Sequence, residues 1–185
     1  MATIQVYRPV HTDAKLPPAA LAPRRNLAEG ARIALINNGK PRTSELLGYI
    51  AEAFSRLHPV ASVTLHSKPS AGSPLDGPTA DRIAAESDFA IAGLGDCGAC
   101  SSCSLIDAVM MEERGTPGAV VITDPFVDVC ERVADRMGYA GYRPIMVPHP
   151  AASRSDEWLR EWAERSVAVL VSQVLPETSV PTRGE

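Results

Sequence analysis

Basic clusters, long apolar runs and a dense cysteine framework are all missing from this 185-residue chain. Lys and Arg number 18 against 22 Asp and Glu, for a formal net charge of −4, and no segment gathers the Lys and Arg that a duplex-binding surface needs. Nucleic acid is therefore not expected as a partner. The longest uninterrupted apolar stretch near the end, Val167 to Val171, is far too short to span a bilayer, so no membrane partner is expected. The start, Met1-Ala-Thr-Ile-Gln-Val6, lacks the basic-then-apolar layout of a signal peptide. A cytoplasmic location is the expectation. No internal repeat is visible. The chain is ordinary in its 45% apolar and 22% charged residues, and its length is enough to bury one core without disulfide staples.

The cysteines that are present are concentrated. Three of the four lie in Asp96-Cys97-Gly98-Ala99-Cys100-Ser101-Ser102-Cys103-Ser104. An apolar run, Phe89 to Gly95, precedes this segment and an amphipathic one, Leu105 to Arg114, follows it. The pattern reads as strand, glycine turn, helix. The thiols then sit at the carboxyl end of a strand and in the first turns of a helix, where outward N–H groups and the helix dipole favour an anion such as a thiolate. In a cytoplasmic protein such a cluster points to redox chemistry or metal binding rather than to structural disulfides.

The remaining chain alternates strands and helices. Residues 1–30, with Pro9, Pro17, Pro18 and Pro23, read as an extended N-terminal arm with a possible short strand at Ile4-Gln-Val-Tyr7. A single α/β domain is expected over 31–175, and a flexible tail over 176–185. Arg32 to Ile36 is a first buried strand, and Thr43 is expected to cap a helix through about Leu57 with Leu46, Leu47, Ile50 and Phe54 on one stripe. Val60 to Leu65 is a second strand, and Thr79 is expected to cap a short helix through Glu86. Phe89 to Leu94 and Gly118 to Thr123 are the third and fourth strands. Asp124, followed by Pro125, is expected to cap a helix running to about Met137. Pro144 to Val147 is a fifth strand, and a last helix runs from Ser155 to about Val174. This alternation predicts a flavodoxin-like, doubly wound parallel five-stranded sheet of order 2-1-3-4-5 with helices on both faces.

Sites in open α/β sheets gather at the carboxyl ends of the strands. The expected topology brings to that edge Asn37, Asn38, Gly39 and Lys40 after strand one, His66 after strand two, the cysteines after strand three, Thr123 and Asp124 after strand four, and His149 after strand five. Cys97 is the more exposed expected attacker, Cys100 the resolving thiol one turn on, and Cys103 a second resolving thiol or a metal ligand. Lys40 or His149 could stabilise a thiolate, and Asp96 would oppose it or donate a proton.

Each of these residues has a plainer reading. Asn37 and Asn38 could simply make a turn, Lys40 could be solvated, His66 a surface residue, and Asp124 a helix cap. Cys130 reads as a small buried hydrophobe. Trp158 and Trp162, four apart, read as a helix stripe packed on the core or on a dimer partner. A closed zinc site needs four ligands and this segment supplies three thiols, with His149 or Asp124 available as a fourth. The iron–sulfur pattern lacks its fourth Cys with a following Pro. Gly93-x-Gly95-x-x-Gly98 has dinucleotide-motif spacing, but the acidic residue expected some twenty positions on is misplaced.

Gly95-Asp96-Cys97-Gly98-Ala99-Cys100 with Ser104-Leu-Ile-Asp107-Ala108, Asn38-Gly39-Lys40-Pro41 and Val147-Pro148-His149-Pro150 together resemble the UGSC family of selenoproteins and their cysteine homologues. The resemblance runs from about Ala20 to Pro150 and departs at Ala99, where the name-giving motif has serine. The Cys97-x-x-Cys100-x-x-Cys103 spacing is also locally similar to the selenocysteine motif of the substrate-binding component of glycine, sarcosine and betaine reductases. Alternation of selenocysteine with cysteine at the position of Cys97 implies a nucleophilic or redox role there, and the reductase likeness implies attack of Cys97 on a small substrate followed by resolution by a second thiol.

The expected function is thus a thiol-dependent enzyme, an oxidoreductase or a lyase or transferase, acting on a small polar substrate. Cys97, Cys100 and Cys103 are the catalytic residues, and Asn37, Asn38, Lys40, Asp124 and His149 bind substrate. The sequence identifies no cofactor; this reading needs none beyond an external thiol reductant. The alternative is a metal protein with Cys97, Cys100 and Cys103 as ligands of a bound ion. A homodimer or hetero-oligomer is the expected assembly.

Overall fold

A computed structural model describes residues 16–177. The possible strand at Ile4 to Tyr7 and most of the expected tail lie outside the described residues. Five parallel strands form one sheet in the order β2-β1-β3-β4-β5: β1 (Ala31–Asn37), β2 (Val60–Ser67), β3 (Phe89–Gly95), β4 (Gly118–Thr123) and β5 (Ile145–Val147). The helices are α1 (Thr43–Ser55), α2 (Gly77–Glu86), α3 (Gly98–Glu113), α4 (Val127–Arg136) and α5 (Asp156–Val174). This is the flavodoxin-like α/β architecture expected, and it follows from strand composition. Every residue of β3 and β4 is buried, so both faces need a helical cover.

Alternation along the strands divides the core in two. Ile33, Leu35, Phe89, Ile91 and Val121 meet α1 and α5 on one face. Ala34, Ala90, Ala92, Val120 and Ile122 meet α2, α3 and α4 on the other. The second face carries smaller residues because α3 lies almost on the sheet. A Cβ on Gly118 would fall far inside contact distance of the Ala108 carbonyl, and one on Gly95 would lie 3.0 Å from the Ser101 Cα. These two glycines let the cysteine helix sit where it does.

Three caps differ from expectation. Thr43 is buried inside the first turn of α1, and Arg42, in the left-handed region at φ 65°, holds the cap position with no side-chain hydrogen bond to the helix end. Asp76, not Thr79, caps α2, accepting the Thr79 N–H at 2.8 Å. Asp124 opens a short 3-10 turn, Asp124–Phe126, ahead of α4 and caps nothing. Ser155 does cap α5, accepting from the Trp158 N–H at 3.3 Å. The tryptophans pack, half-buried, against the α1–α5 core with ring centroids 5.9 Å apart.

The described part of the arm is anchored on α3. Glu112, fully buried, accepts the Ala22 N–H at 2.6 Å, both terminal nitrogens of Arg24 at 2.9 and 2.8 Å, and the Gly118 N–H at 2.9 Å. Among the described residues no helix is long and apolar enough to cross a membrane.

Candidate functional site

The strand β3 ends at Gly95, and α3 begins at Gly98. Cys97 between them is extended, at φ −164° and ψ 166°, and occupies the N-cap. Its Sγ accepts the Cys100 N–H at 3.2 Å, and the two cysteines are joined in a disulfide with Cα atoms 5.4 Å apart. Cys97 is half-buried and Cys100 is 2% exposed. The expected asymmetry in exposure is therefore present. Ser and Gly around the thiols leave the helix start uncrowded, as nothing lies within 4 Å of a Cβ built on Gly98.

Beside the cysteines stands an imidazole. His149 Nδ1 lies 2.9 Å from Asp96 Oδ1 and 3.2 Å from Thr123 Oγ1. The single Thr123 hydroxyl proton is already donated to the Gly95 carbonyl at 3.0 Å, so Thr123 can only accept from the ring. Nδ1 thus carries a proton, shared between Asp96 and Thr123, and Nε2 is the nitrogen left to act. The Asp96 side chain is 7% exposed against 39% for His149, so the carboxylate holds the ring from behind. Asp124 Oδ1 accepts the His149 N–H at 2.9 Å, and Phe126 meets the ring edge-on with centroids 5.6 Å apart. The ends of β3, β4 and β5 are thereby cross-tied through one histidine.

The turn after β1 is also tied to the cysteine helix. Asn38 is 1% exposed. Its amide donates to the Leu94 carbonyl at 2.9 Å and to Ser104 Oγ at 3.1 Å, and its oxygen accepts the Lys40 N–H at 3.2 Å. Its hydrogen-bonding capacity is used inside the protein, which makes it a brace between β1, β3 and α3. Asn37 Oδ1 accepts the Gly39 N–H at 2.9 Å, a turn-making bond. Lys40 is half-buried at the same edge.

Cys103 is 9% exposed and free. It neighbours a buried ion pair that sequence reasoning does not reach, between Lys68 Nζ and Asp107 Oδ2, whose side chains are 2% and 1% exposed. Asp107 Oδ1 also accepts the Leu75 N–H at 2.7 Å, clamping the loop after β2 onto α3. Burial raises the Cys103 thiol pKa, Lys68 opposes the rise, and Asp107 adds to it. Burial likewise raises the Asp107 carboxyl, with Lys68 acting against it. The one sequence signal for this pair is a carboxylate four residues after Cys103, on the same helical face. Cys130 is 1% exposed, as expected of a core thiol, and burial pushes it up to about 12. His66 is half-buried at the end of β2, and burial, then Arg82, lowers its pKa.

Among the described residues, no group of three or more His, Cys, Asp or Glu side chains is arranged to hold a metal ion. With Cys97 and Cys100 bonded to each other, one thiol of the alternative ligand set is free.

The model of the UGSC family matches residues 5–176, and the chain belongs to that family. No curated protein matches it. Among solved structures it is similar to a diflavin flavoprotein A3 from Nostoc sp., at 11% identity and a TM-score of 0.42, over 75% of this chain and 90% of that one. It is also similar to the flavodoxin-like domain of a Synechococcus sp. protein, at 11% identity and a TM-score of 0.39, over 76% of this chain and 93% of that one.

Proposed function

We propose that this UGSC-family protein is a thiol-dependent enzyme that reductively cleaves a carbon–heteroatom bond in a small polar substrate, with Cys97 as nucleophile and Cys100 as resolving thiol. The observation that carries the proposal is the bonded Cys97–Cys100 pair on the first turn of α3, flanked by the Asp96–His149 pair. In the reduced protein, a Cys97 Sγ at the N-cap faces the Cys100 N–H and the positive end of the helix dipole, which favour thiolate over thiol.

The thiolate attacks the carbon that bears the heteroatom. A carbon–sulfur bond forms, and the heteroatom leaves with the bonding pair and takes up a proton. Cys100 thiolate then attacks Cys97 Sγ. The carbon–sulfur bond breaks, its electron pair stays on carbon, and that carbon is protonated. Two thiols and R–X become a disulfide, R–H and H–X. A carbon able to hold the departing pair lies next to a carbonyl or carboxyl group, so the substrate class is an α-substituted carbonyl compound or acid. His149 Nε2, with Nδ1–H fixed by Asp96 and Thr123, is the proton carrier between Cys100 and that carbon. Lys40 and Asn37 offer donors to an anionic substrate at the neighbouring strand end. An external small thiol, itself oxidised to a disulfide, restores the dithiol.

Bromoacetate with excess dithiothreitol tests this. The wild-type protein is expected to yield acetate and bromide, Cys100→Ser to stop at a carboxymethyl thioether on Cys97, and Cys97→Ser to yield no acetate. Acetate from Cys97→Ser at the wild-type rate, or a permanent wild-type adduct with no acetate, would overturn the proposal.

A further inference from the structure

The edge of the sheet opposite the cysteines carries a second feature. A cavity of about 220 Å³ lies at the amino ends of β1, β3 and β4 and is lined by three guanidiniums, Arg25, Arg32 and Arg114, but by one carboxylate, Asp88. Two of these cations are paired, Arg32 with Asp88 and Arg114 with Asp81 and, at 4.0 Å, Glu113, so Arg25 is the one of the three without an ion-pair partner among the described residues. Arg25 comes from the arm, Arg32 from β1 and Arg114 from the end of α3.

Arginines near helix carboxyl ends can serve simply to satisfy carbonyls. Here most of that need is met by other groups. Ser87 Oγ donates to the Ile83 carbonyl at 2.6 Å and Thr116 Oγ1 to the Ala84 carbonyl at 3.1 Å. Backbone N–H groups of Arg114 and Gly115 bond the Met111 and Glu112 carbonyls, each at 3.0 Å. Arg114 commits Nε to Asp81 at 2.7 Å and Nη1 to the Met110 carbonyl at 2.9 Å, which leaves Nη2. Arg32 commits Nε and Nη2 to Asp88 at 3.2 and 2.8 Å, which leaves Nη1. Arg25 is exposed and makes no ion pair among the described residues; it reaches Asp88 only as a charge that helps hold that carboxyl down. The cavity thus has spare N–H donors on two held guanidiniums, Arg32 and Arg114, and an uncommitted third on Arg25. It is also smaller than the roughly 300–1,000 Å³ of drug-sized ligand sites.

We propose that this cavity binds a small oxyanion, of which phosphate is the type, through the free nitrogens of Arg32 and Arg114 and the guanidinium of Arg25. Planar guanidiniums match tetrahedral and carboxylate oxyanions in pairs of hydrogen bonds. Because Arg25 belongs to the arm while Arg32 and Arg114 belong to the sheet and α3, the bound anion adds a second tie between arm and domain beside the Glu112 anchor. The site is separate from the thiol chemistry, and nothing in it depends on that chemistry.

The test titrates the full chain with inorganic phosphate at constant ionic strength, with sodium chloride as the exchange salt, by calorimetry and by melting temperature. One saturable site is expected, with the melting temperature raised by phosphate and not by chloride. Arg25→Gln and Arg114→Gln are each expected to weaken binding at least tenfold, and the exposed Arg25→Gln keeps the wild-type circular dichroism spectrum. Sulfate and acetate arms rank the anions: tighter phosphate or sulfate assigns a tetrahedral oxyanion, and tighter acetate a carboxylate. Equal stabilisation by phosphate and chloride, or unchanged affinity in Arg25→Gln, would overturn the proposal.

Discussion

The Lys68–Asp107 pair offers a prediction whose size follows from burial. Both side chains are almost wholly enclosed, at 2% and 1% exposure. Replacing Asp107 by Asn removes the charge but keeps an oxygen in place for the Leu75 N–H, which Asp107 Oδ1 now accepts. The Asn amide then presents its own donors to a buried ammonium that has lost its counter-ion. Breaking one side of such a pair costs about 3–5 kcal/mol. With a urea m-value of about 2 kcal/mol/M, the unfolding midpoint falls by roughly 1.5–2.5 M. Total stability for a domain is only about 5–15 kcal/mol, so this loss is a large share of it. Lys68→Met strands the carboxylate instead and is expected to cost a similar amount. The double variant Lys68→Met/Asp107→Leu strands neither charge and is expected to recover most of the loss, since an apolar replacement of a buried pair is often neutral. Urea titration followed by circular dichroism, on oxidised protein, reads all three. A midpoint shift below about 0.3 M for Asp107→Asn, or a double variant as weak as the sum of the singles, would refute the reasoning.

Other outcomes follow from the same structure. A small alkylating reagent at about pH 8 is expected to label Cys97 first in the reduced protein, and to leave Cys103 and Cys130 unmodified until urea is added; peptide mass mapping reads this, since burial raises both thiol pKa values. Gly118→Ala drives a Cβ against the Ala108 carbonyl and is expected to cost about 1–3 kcal/mol in denaturant unfolding, with α3 displaced from the sheet. Burial pushes the Asp88 carboxyl up, but the hydrogen bonds and charge of Arg32, with help from Arg25, leave it below its ordinary 3.8. A depressed carboxyl stabilises the fold above its unfolded value and loses that contribution as pH falls through the folded one. Melting temperature is therefore expected to fall more steeply below pH 3.8 in the wild type than in Asp88→Asn.

What could be read from the sequence divides along a physical line. Strand order, helix faces and the placement of the cysteines were legible because burial repeats along the chain: the fully apolar β3 and β4 demand cover on both faces, and the stripe Leu46, Leu47, Ile50 and Phe54 supplies it on one. The caps were less legible because neighbouring polar residues compete for one orphan N–H. Asp76 and Thr79 both suit the role, and the sequence does not say which backbone turns extended. The partners of polar side chains were the least legible, since a hydrogen bond between distant residues leaves no periodic trace. Lys68 and Asp107 lie 39 positions apart and Asp96 and His149 lie 53 apart. Asn38 shows what this costs a site prediction. Its place at the sheet's carboxyl edge suggested a ligand contact, yet its amide is spent on Leu94 and Ser104. The same edge supplies His149, whose Nδ1 is spent in the same way while Nε2 is not. Position on the fold thus nominates candidates, and the count of unspent donors and acceptors separates braces from groups free to do chemistry. By that count the proposed chemistry at this edge falls to the half-buried Cys97 and to His149 Nε2, while the hydrogen bonds of Asn38, Thr123, Asp124 and Asp96 brace the strand ends around them.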